Sequence, residues 1–501
     1  MRLRRLLKTG RSSPMMVWLI LTLSLAAGSA VAGPPPTTDL PWAYQLLHDS
    51  ELSDDCPICG RPTILAPMSG SFSLRLLESN LLSRRYALDN ISFKAVAGSR
   101  SYVISGNGTF QIGGEVALLQ TMSLQVHIDD GFSNKLCYFT SVSPVVTRLW
   151  PMIDVTLDQT NGTVAQTYSL RLTAAPLREL WFSTKTFFSG SNGPGGVEFF
   201  LSGDLLSNSG RVVKRNDELF SSVGIHVPGP DLGLDAVDML PGGEIAFSLG
   251  SGAPSDTLGP IHHGDLLSTR RGILSRNQDL LSAFMIQPPA PDVGLDAVHV
   301  LDSGEILFSI QSNIFSERLA ITLHRGDLLS NTGLVVRSNQ QMLARFHPAN
   351  PSDDYGLDAL YVWSSGEIWF STEDDFQDRQ LGLISAGDLL SDQGYVVLRQ
   401  TELLAAFVPT QDPPAFGLDA LYVVTDDIPP APGPRLSIRA NPATHNAELT
   451  WEGQGRVFQV ERADLVTGAF QPLSPVLPDL FYDDLGAITN RAQSYYRLLQ
   501  W

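Results

Sequence analysis

Cysteine is scarce in this sequence, which contains only Cys56, Cys59 and Cys137 among 501 residues. Three cysteines exclude a dense disulfide framework, because an odd number cannot pair completely. The Cys56-Pro-Ile-Cys59 spacing leaves open a redox site, a zinc site completed by Cys137 with His48 or His127, and a structural disulfide within the trio. The residues after Cys59 have the character of turn and strand, whereas a redox site needs a helix there, so the disulfide is favoured.

The sequence also lacks the common motifs of catalysis. It has no GxSxG elbow, no HExxH pair, no P-loop and no dinucleotide fingerprint, which speaks against the enzyme classes that depend on them. Long helical patterns are scarce as well. Short runs of β-branched and aromatic residues bounded by glycine, proline and asparagine dominate instead, and they predict an all-β protein.

Basic residues are outnumbered, with 34 Lys and Arg against 52 Asp and Glu and a formal net charge of -18. An acidic surface repels nucleic acid and anionic lipid, so neither is an expected partner. The same charge favours solubility outside the cell.

Five of the few basic residues lie within the first 11 positions, ahead of an apolar run at 15–27 and the sequence Ala30-Val31-Ala32. This order predicts a signal peptide over residues 1–32 and a protein that is secreted or held at the cell surface or in the periplasm. The run is shorter than the roughly 20 residues of a membrane span. We therefore expect no span after cleavage.

Two short phrases recur four times in register along the chain. GLDA begins at Gly233, Gly294, Gly356 and Gly417, and GDLLS begins at Gly203, Gly264, Gly326 and Gly387. Both step by 61, 62 and 61 residues, so the chain contains a repeated structural unit whose copies pack on their neighbours.

Each unit is predicted to contribute four short strands. Residues 358–363 (DALYVW) and 367–371 (EIWFS) are β-rich runs separated by Ser-Ser-Gly, which is typical of a hairpin. A variable loop follows, then two further strands around GDLLS, and then apolar residues at i, i+3 spacing that predict one helical turn.

The ends of the repeat array are complementary. It opens with half a hairpin at 179–183 (ELWFS) and closes with the other half at 417–424 (GLDALYVV). Pairing of these halves predicts a closed four-bladed β-propeller over residues 179–425, made of four repeats of about 61 residues. A five-bladed ring or an open stack stays an alternative, because residues 168–172 (YSLRL) could instead pair locally with 179–183.

The flanking regions are predicted to form separate domains. Residues 33–175 contain alternating apolar and polar runs with turn residues between them, which predicts an N-terminal β-sandwich or jelly roll. The prolines of residues 426–434 mark a linker.

Residues 435–501 resemble the fibronectin type III family. The runs at 447–451 (AELTW), 457–463 (VFQVERA) and 495–499 (YYRLL) resemble its second, third and sixth strands, while its last strand has no counterpart here. The resemblance implies a small C-terminal sandwich. In secreted bacterial proteins such modules are spacers or adhesive units.

The repeats also loosely resemble the four-bladed hemopexin-like family, in which each blade opens with an Asp-Ala step and an ion can occupy the central channel. The units here are longer, and the closing disulfide and aromatic signature of that family are absent. The resemblance implies a binding site on the propeller axis formed by Asp235, Asp296, Asp358 and Asp419, with calcium as the favoured cation because it prefers oxygen ligands. The interpretation favoured over a cation site is that each Asp caps a turn through its own backbone bonds. A second set of repeated acids is predicted to form turns: Asp204, Asp265, Asp327 and Asp388.

These features predict a secreted, non-catalytic binding or scaffold protein that contacts extracellular glycan or a cell-envelope protein. One alternative is an extracellular polysaccharide hydrolase or lyase, with catalytic acids in the variable loops at 184–196, 250–259 and 372–380. Another is a structural component of the surface or matrix.

Overall fold

The computed structural model describes residues 41–115, 118–191, 196–226, 231–288, 290–411, 416–428, 431–489 and 493–501, and the backbone of β1 (Leu19–Leu21). These residues form forty strands and only four short α-helices, so the predicted all-β class is confirmed. The rest of the predicted signal peptide at 1–32 lies outside the described residues. One compact unit contains Leu40–Asp238 and Ile245–Asp427, and the other contains Met239–Glu244 and Ile428–Trp501.

The chain begins its first unit with nine antiparallel strands. They are β2 (Trp42–Leu46), β3 (Glu51–Asp55), β4 (Ile64–Ser79), β5 (Ser83–Ala97), β6 (Arg100–Gly113), β7 (Leu119–Asp129), β8 (Asn134–Ser141), β9 (Ile153–Gln159) and β10 (Thr167–Ala175). Strands β3 to β10 pair in sequence order, and β10 also pairs with β3. The sheet therefore closes on itself, and β2 extends the line of β3 between β4 and β10.

Alternating side chains fill the inside of this closed sheet. In β7 every second residue is buried while its neighbours are exposed, the pattern of a strand with one core face. The core contains Phe72, Phe93, Phe110 and Phe139. A sandwich was predicted here. The opposing walls do pack on a shared core, but they belong to one continuous sheet because β10 joins both β9 and β3.

The repeat region follows directly. Repeat one contains β11 (Leu177–Phe182), β12 (Phe188–Gly190), β13 (Glu198–Phe200), β14 (Leu205–Ser207), β15 (Arg211–Lys214) and α1 (Asn216–Ser222). Repeat two contains β16 (Ala236–Leu240), β17 (Glu244–Ser248), β18 (Ala253–Ser255), β19 (Gly259–Ile261), β20 (Leu266–Ser268), β21 (Gly272–Ser275), α2 (Asn277–Leu280) and the 3₁₀ turn Ser282–Phe284.

The remaining repeats have the same order of elements. Repeat three contains β22 (Val298–Val300), β23 (Ile306–Phe308), β24 (Ile314–Ser316), β25 (Ile321–Leu323), β26 (Leu328–Ser330), β27 (Leu334–Arg337) and α3 (Asn339–Met342). Repeat four contains β28 (Leu360–Val362), β29 (Ile368–Phe370), β30 (Phe376–Asp378), β31 (Gly382–Ile384), β32 (Leu389–Ser391), β33 (Tyr395–Leu398), α4 (Gln400–Leu403) and the 3₁₀ turn Ala405–Phe407, and β34 (Leu421–Thr425) ends the region.

Four sheets of four strands arise from these repeats. Three have the orders β16-β17-β20-β21, β22-β23-β26-β27 and β28-β29-β32-β33, and the fourth is β34-β11-β14-β15. The fourth sheet joins the two ends of the repeat region, since Leu180 pairs with Val423 and Phe182 with Leu421. The predicted pairing of the two half hairpins is therefore present. The local alternative does not form, because residues 168–172 lie in β10 and pair with β3 and β9.

The variable loops are more regular than the sequence predicted, because each forms a separate two-stranded ribbon: β12–β13, β18–β19, β24–β25 and β30–β31. The predicted helical turns are present, and two of them bond to the ribbon of the next repeat. Ser255 Oγ donates to the Val223 carbonyl at 2.6 Å, and Ser316 Oγ donates to the Phe284 carbonyl at 2.8 Å. The repeats therefore interlock at the ribbons as well as through the closing pair of strands.

The second unit contains β35 (Arg435–Asn441), β36 (Asn446–Glu452), β37 (Phe458–Ala463), β38 (Gln471–Pro472), β39 (Phe481–Asp484) and β40 (Ser494–Gln500). Sheet β35-β36-β39 and sheet β1-β40-β37-β38 form it. Its core includes Trp451, Phe458 and Tyr496. The three strands predicted from the sequence lie within β36, β37 and β40.

Candidate functional site

The four repeated Asp-Ala steps come together at the inner ends of the four sheets. Their carboxyl groups are buried, with residue exposures of 6%, 4%, 1% and 8% for Asp235, Asp296, Asp358 and Asp419. The glycine two residues before each Asp has a positive φ of 67° to 78°, a conformation that favours glycine. This explains why the GLDA phrase repeats without change.

A serine from the neighbouring strand holds each of these turns in place. The Oγ of the serine that ends the second hairpin strand donates to the leucine carbonyl of the next GLDA turn at 2.5 to 2.8 Å. The four pairs are Ser183 to Leu234, Ser248 to Leu295, Ser309 to Leu357, and Ser371 to Leu418. These buried bonds connect consecutive sheets and position the aspartates.

Three side chains that the sequence analysis missed complete the cluster. Lys185, Gln311 and Glu373 stand two residues after the hairpin serine in their repeats, and the same position in repeat two is Gly250. The Lys185 Nζ lies 3.1 Å from Asp358 Oδ2 and 2.8 Å from Glu373 Oε2. A comparison of the four repeats at this one position could have found them, because it is the place where the copies differ in charge.

The amide of Gln311 contacts the part of the cluster around Asp235. Its Nε2 donates to Asp235 Oδ2 at 2.6 Å, and its Oε1 lies 2.9 Å from Nδ1 of His263. Gly250 leaves this side open, since a Cβ there would come within 2.6 Å of Asp235 Oδ1. The positive charge of the cluster is therefore concentrated near Asp358 and Glu373.

Burial dominates the ionisation of the cluster. It raises the pKa of Asp296 to about 8, with the charges of Glu373 and Asp419 adding to the effect. Burial likewise raises the pKa of Asp419 to about 7, although Lys185 opposes the shift. Burial and neighbouring carboxylates raise the pKa values of Asp235 and Asp358 well above their usual range. These carboxyl groups therefore hold protons at pH values where free aspartate is ionised.

Lys185 and Glu373 form the charged part of the cluster. Burial disfavours the ammonium, but the Asp358 and Glu373 carboxylates outweigh it and raise the pKa of Lys185. Burial also opposes ionisation of Glu373, yet Lys185 outweighs it and lowers the pKa of that carboxyl group. The two side chains are therefore an ion pair over the whole neutral range.

We expect the stability of the full chain to fall as the pH rises from 5 to 8. An aspartate with a raised pKa keeps its proton in the folded protein after the unfolded chain has lost it, so its stabilising contribution is present below about pH 4 and is lost as the pH passes the folded pKa. Each retained proton gives a slope of about 1.4 kcal/mol per pH unit. Urea unfolding of the full chain at pH 5, 7 and 9 measures it.

Asp296→Asn gives the matched comparison. We expect the stability advantage of this variant over the parent protein to be smallest at pH 5 and to grow towards pH 9, because the amide cannot ionise. Asp256→Asn changes an exposed carboxylate outside the cluster and should follow the parent curve. If the stability of the parent protein rose between pH 5 and pH 8, the conclusion that the buried aspartates retain their protons in the folded protein would be wrong.

The second set of repeated acids acts as the sequence predicted. One oxygen of each accepts from the backbone N–H that begins the following helix, at 2.9 to 3.2 Å. These pairs are Asp204 with Asn216, Asp265 with Asn277, Asp327 with Asn339, and Asp388 with Gln400. The other oxygen accepts from the backbone N–H three residues earlier in the chain. These aspartates therefore stabilise turns and helix starts.

The cysteines form a disulfide and leave one thiol. Cys56 is bonded to Cys59, as the favoured interpretation predicted, and Cys137 is buried and free. Burial raises the pKa of the Cys137 thiol. The residues proposed for zinc are not brought together: His48 lies against Glu402 and His127 against Asn134.

A cavity lined by residues of repeats three and four has a volume of about 690 Å³. Two loops line it, residues 349–355 before the GLDA turn and residues 374–377 at the start of a ribbon, together with Arg325. Its polar groups include Asn350, Ser352, Asp353 and Asp375. The second loop belongs to the variable segment 372–380 that the sequence analysis named as a candidate for catalysis.

Arg325 connects the cavity wall to the central cluster. Its guanidinium donates to the Asp354 carbonyl at 2.9 Å and pairs with the Asp374 carboxylate. Asp374 directly follows Glu373, whose carboxylate belongs to the cluster. The lining of the cavity therefore contains one cation, held by Asp374 and the Asp354 carbonyl, together with several carboxylates, amides and hydroxyls.

No protein-family model and no curated protein sequence matches this chain. Among the described residues, no helix has the length and apolar character that crossing a membrane requires.

Proposed function

We propose that this is a secreted, non-catalytic binding protein in which a four-bladed β-propeller over residues 179–425 presents a polar pocket to extracellular glycan. The observation that carries the proposal is the cavity of about 690 Å³ beside Arg325. Carboxylates, amides and hydroxyls in a concave site are suited to the paired hydroxyl groups of a sugar. The ligand alternative is an envelope protein, and residues 435–501 would then be a fibronectin type III-like spacer.

The repeated residues and the pocket residues are different, which supports a binding role for the pocket. The repeated serines and aspartates are bonded within the framework, as described above. The pocket uses residues that are not repeated: Asp353 and Asp375 correspond to Pro291 and Asn313 one repeat earlier. Residues that differ between copies are free to serve a ligand, because the framework does not require them.

A binding assay with the purified full chain tests the proposal. We expect protein to be retained on at least one member of a panel of insoluble polysaccharides, with no sugar released into solution. Asp353→Asn combined with Asn350→Ala should reduce retention about tenfold, the loss expected from one or two hydrogen bonds to the ligand. Asp256→Asn, outside the pocket, should bind like the parent.

Other outcomes separate the competing functions. Released sugar that disappears in the Asp353→Asn variant would favour the hydrolase or lyase, because Asp353 and Asp375 place two carboxyl groups in one cavity. If the variant with Asp353→Asn and Asn350→Ala were retained like the parent protein, the assignment of this cavity as the binding site would be wrong. Absence of retention throughout would favour a protein partner or a structural role.

We further propose that Lys185 is the resident cation of the central cluster and that calcium competes with it. Oxygen atoms of Asp296, Asp358 and Glu373 lie within 4.8 Å of one another, a donor set that suits a hard cation. Two of these three carboxylates are already paired with the Lys185 ammonium. The residues therefore fit calcium by chemistry, while the ammonium lowers the affinity for it.

A further inference from the structure

Strands β11 and β34, which close the repeat region, have no turn between them, whereas the other three inner pairs of strands do. Strands β16 and β17, β22 and β23, and β28 and β29 are hairpins, each joined by a short turn. Strands β11 and β34 come from opposite ends of the repeat region, so no turn connects them. A pair of strands without a turn frays more easily, because its closure carries a larger entropic cost.

An ion pair stands where that turn would be. Arg178 and Asp426 occupy the positions that correspond to Gly366 and Ser365 in the turn of repeat four. The Arg178 Nε donates to Asp426 Oδ1 at 2.9 Å. The two strands of the seam, which we define as the β11–β34 pair, are therefore joined by side chains at this end.

Strand β2 of the N-terminal closed sheet bonds to both halves of this junction. The Ala43 N–H donates to Asp426 Oδ2 at 2.7 Å, on the β34 side. The Gln45 Nε2 donates to the Arg178 carbonyl at 2.8 Å, on the β11 side, where the register of the pair shifts. Strand β2 thus bonds to both strands of the seam at the end that lacks a turn.

Further contacts fix the closed sheet to repeat four. The His48 N–H donates to the Val397 carbonyl at 2.9 Å, and its Nδ1 lies 3.0 Å from Glu402 Oε2. The Arg148 guanidinium stacks 3.5 Å above the Tyr395 ring, and both side chains are largely buried. A single residue, Pro176, separates β10 from β11. The closed sheet therefore cannot move away from the seam without breaking several hydrogen bonds and the buried stack of Arg148 on Tyr395.

We propose that the N-terminal closed sheet is a clasp that keeps the repeat region closed, with the bonds of β2 to Arg178 and Asp426 as its principal attachments to the two strands of the seam. In the other three sheets a turn connects the two inner strands, and at β11 and β34 the closed sheet connects them instead. It lowers the rate at which β11 and β34 separate. The hairpins of the other three sheets do not depend on it.

Hydrogen exchange of backbone amides in the full chain tests the clasp. In a variant with Gln45→Ala and Asp426→Ala, we expect the amides of β11 and β34 to exchange at least about tenfold faster, because local opening becomes more frequent. The amides of the β28–β29 hairpin should change less than about twofold. Gln125→Ala, on an exposed position of β7, is the control and should leave both pairs unchanged.

Two results would overturn the proposal. One is unchanged exchange at the seam in the double variant. The other is an equal rise at the seam and at the β28–β29 hairpin, which would mean a general loss of stability. If the double variant does not fold, Gln45→Ala alone removes one hydrogen bond between the closed sheet and the β11 side of the seam and gives the same comparison with a smaller expected rise.

Discussion

Replacing Lys185 by methionine is expected to lower the free energy of unfolding of the full chain by about 3 kcal/mol at pH 8, at the low end of the range for breaking a buried ion pair. The low end applies because the lysine side chain is 23% exposed. Methionine retains the length of the side chain but removes the only ammonium near Asp358 and Glu373 among the described residues. The Glu373 carboxylate then loses its counter-charge and the Asp358 carboxyl group loses its cationic partner, and a chemical denaturation curve measures the loss.

Three comparisons make this result specific. Lys94→Met removes an exposed lysine of β5 and should change stability by less than about 0.5 kcal/mol. At pH 5 the loss in the Lys185 variant should shrink, because the surrounding aspartates are protonated. Millimolar calcium should restore part of the stability of the variant and have a smaller effect on the parent. Equal losses in the two lysine variants would contradict the assignment of Lys185 as resident cation.

Phe407→Ala is expected to destabilise the protein by about 3 to 5 kcal/mol, the usual cost of deleting a buried aromatic ring. Phe407 is fully buried, and its ring centre lies 4.9 Å from that of Phe200 and 5.7 Å from that of Phe188. Those partners belong to repeat one, whereas Phe407 belongs to repeat four. The substitution therefore tests the closure of the repeat region through its core, and thermal or urea unfolding measures it.

Phe199→Ala is the matched control, because this phenylalanine is the neighbour of Phe200 in β13 and is 64% exposed. Its removal should cost less than about 0.5 kcal/mol. If Phe407→Ala were as mild as the control, repeats one and four would not share a core.

Much of the repeat region could be predicted because its signals are local and occur four times. The hairpins follow from runs such as residues 358–363 and 367–371, and the closure follows from two halves that have no partner nearby in the sequence. The closed N-terminal sheet could not be predicted in the same way. Its strands have a clear alternation, but the pairing of β3 with β10 joins segments more than a hundred residues apart, and alternation does not specify partners.

Some residues of the candidate site could likewise be predicted from the sequence, and others could not. The repeated aspartates were visible in the sequence because repetition itself marked them. Lys185, Gln311 and Glu373 were missed because each occurs once, and a single lysine or glutamate in a loop is ordinarily solvated. Their role depends on which side chains the four sheets bring to one place, and that is a property of the tertiary structure.

The single position at which the four copies carry lysine, glycine, glutamine and glutamate also restricts how this architecture can be rearranged. A circular permutation that opens the chain between two repeats would preserve the cyclic order of these residues and the neighbours of each charge. Shuffling the repeats, or duplicating one in place of another, would bring like charges together or remove the Lys185 ammonium from the centre. The copies are thus alike as building units but not interchangeable, and their order around the centre is itself part of the chemistry of the protein.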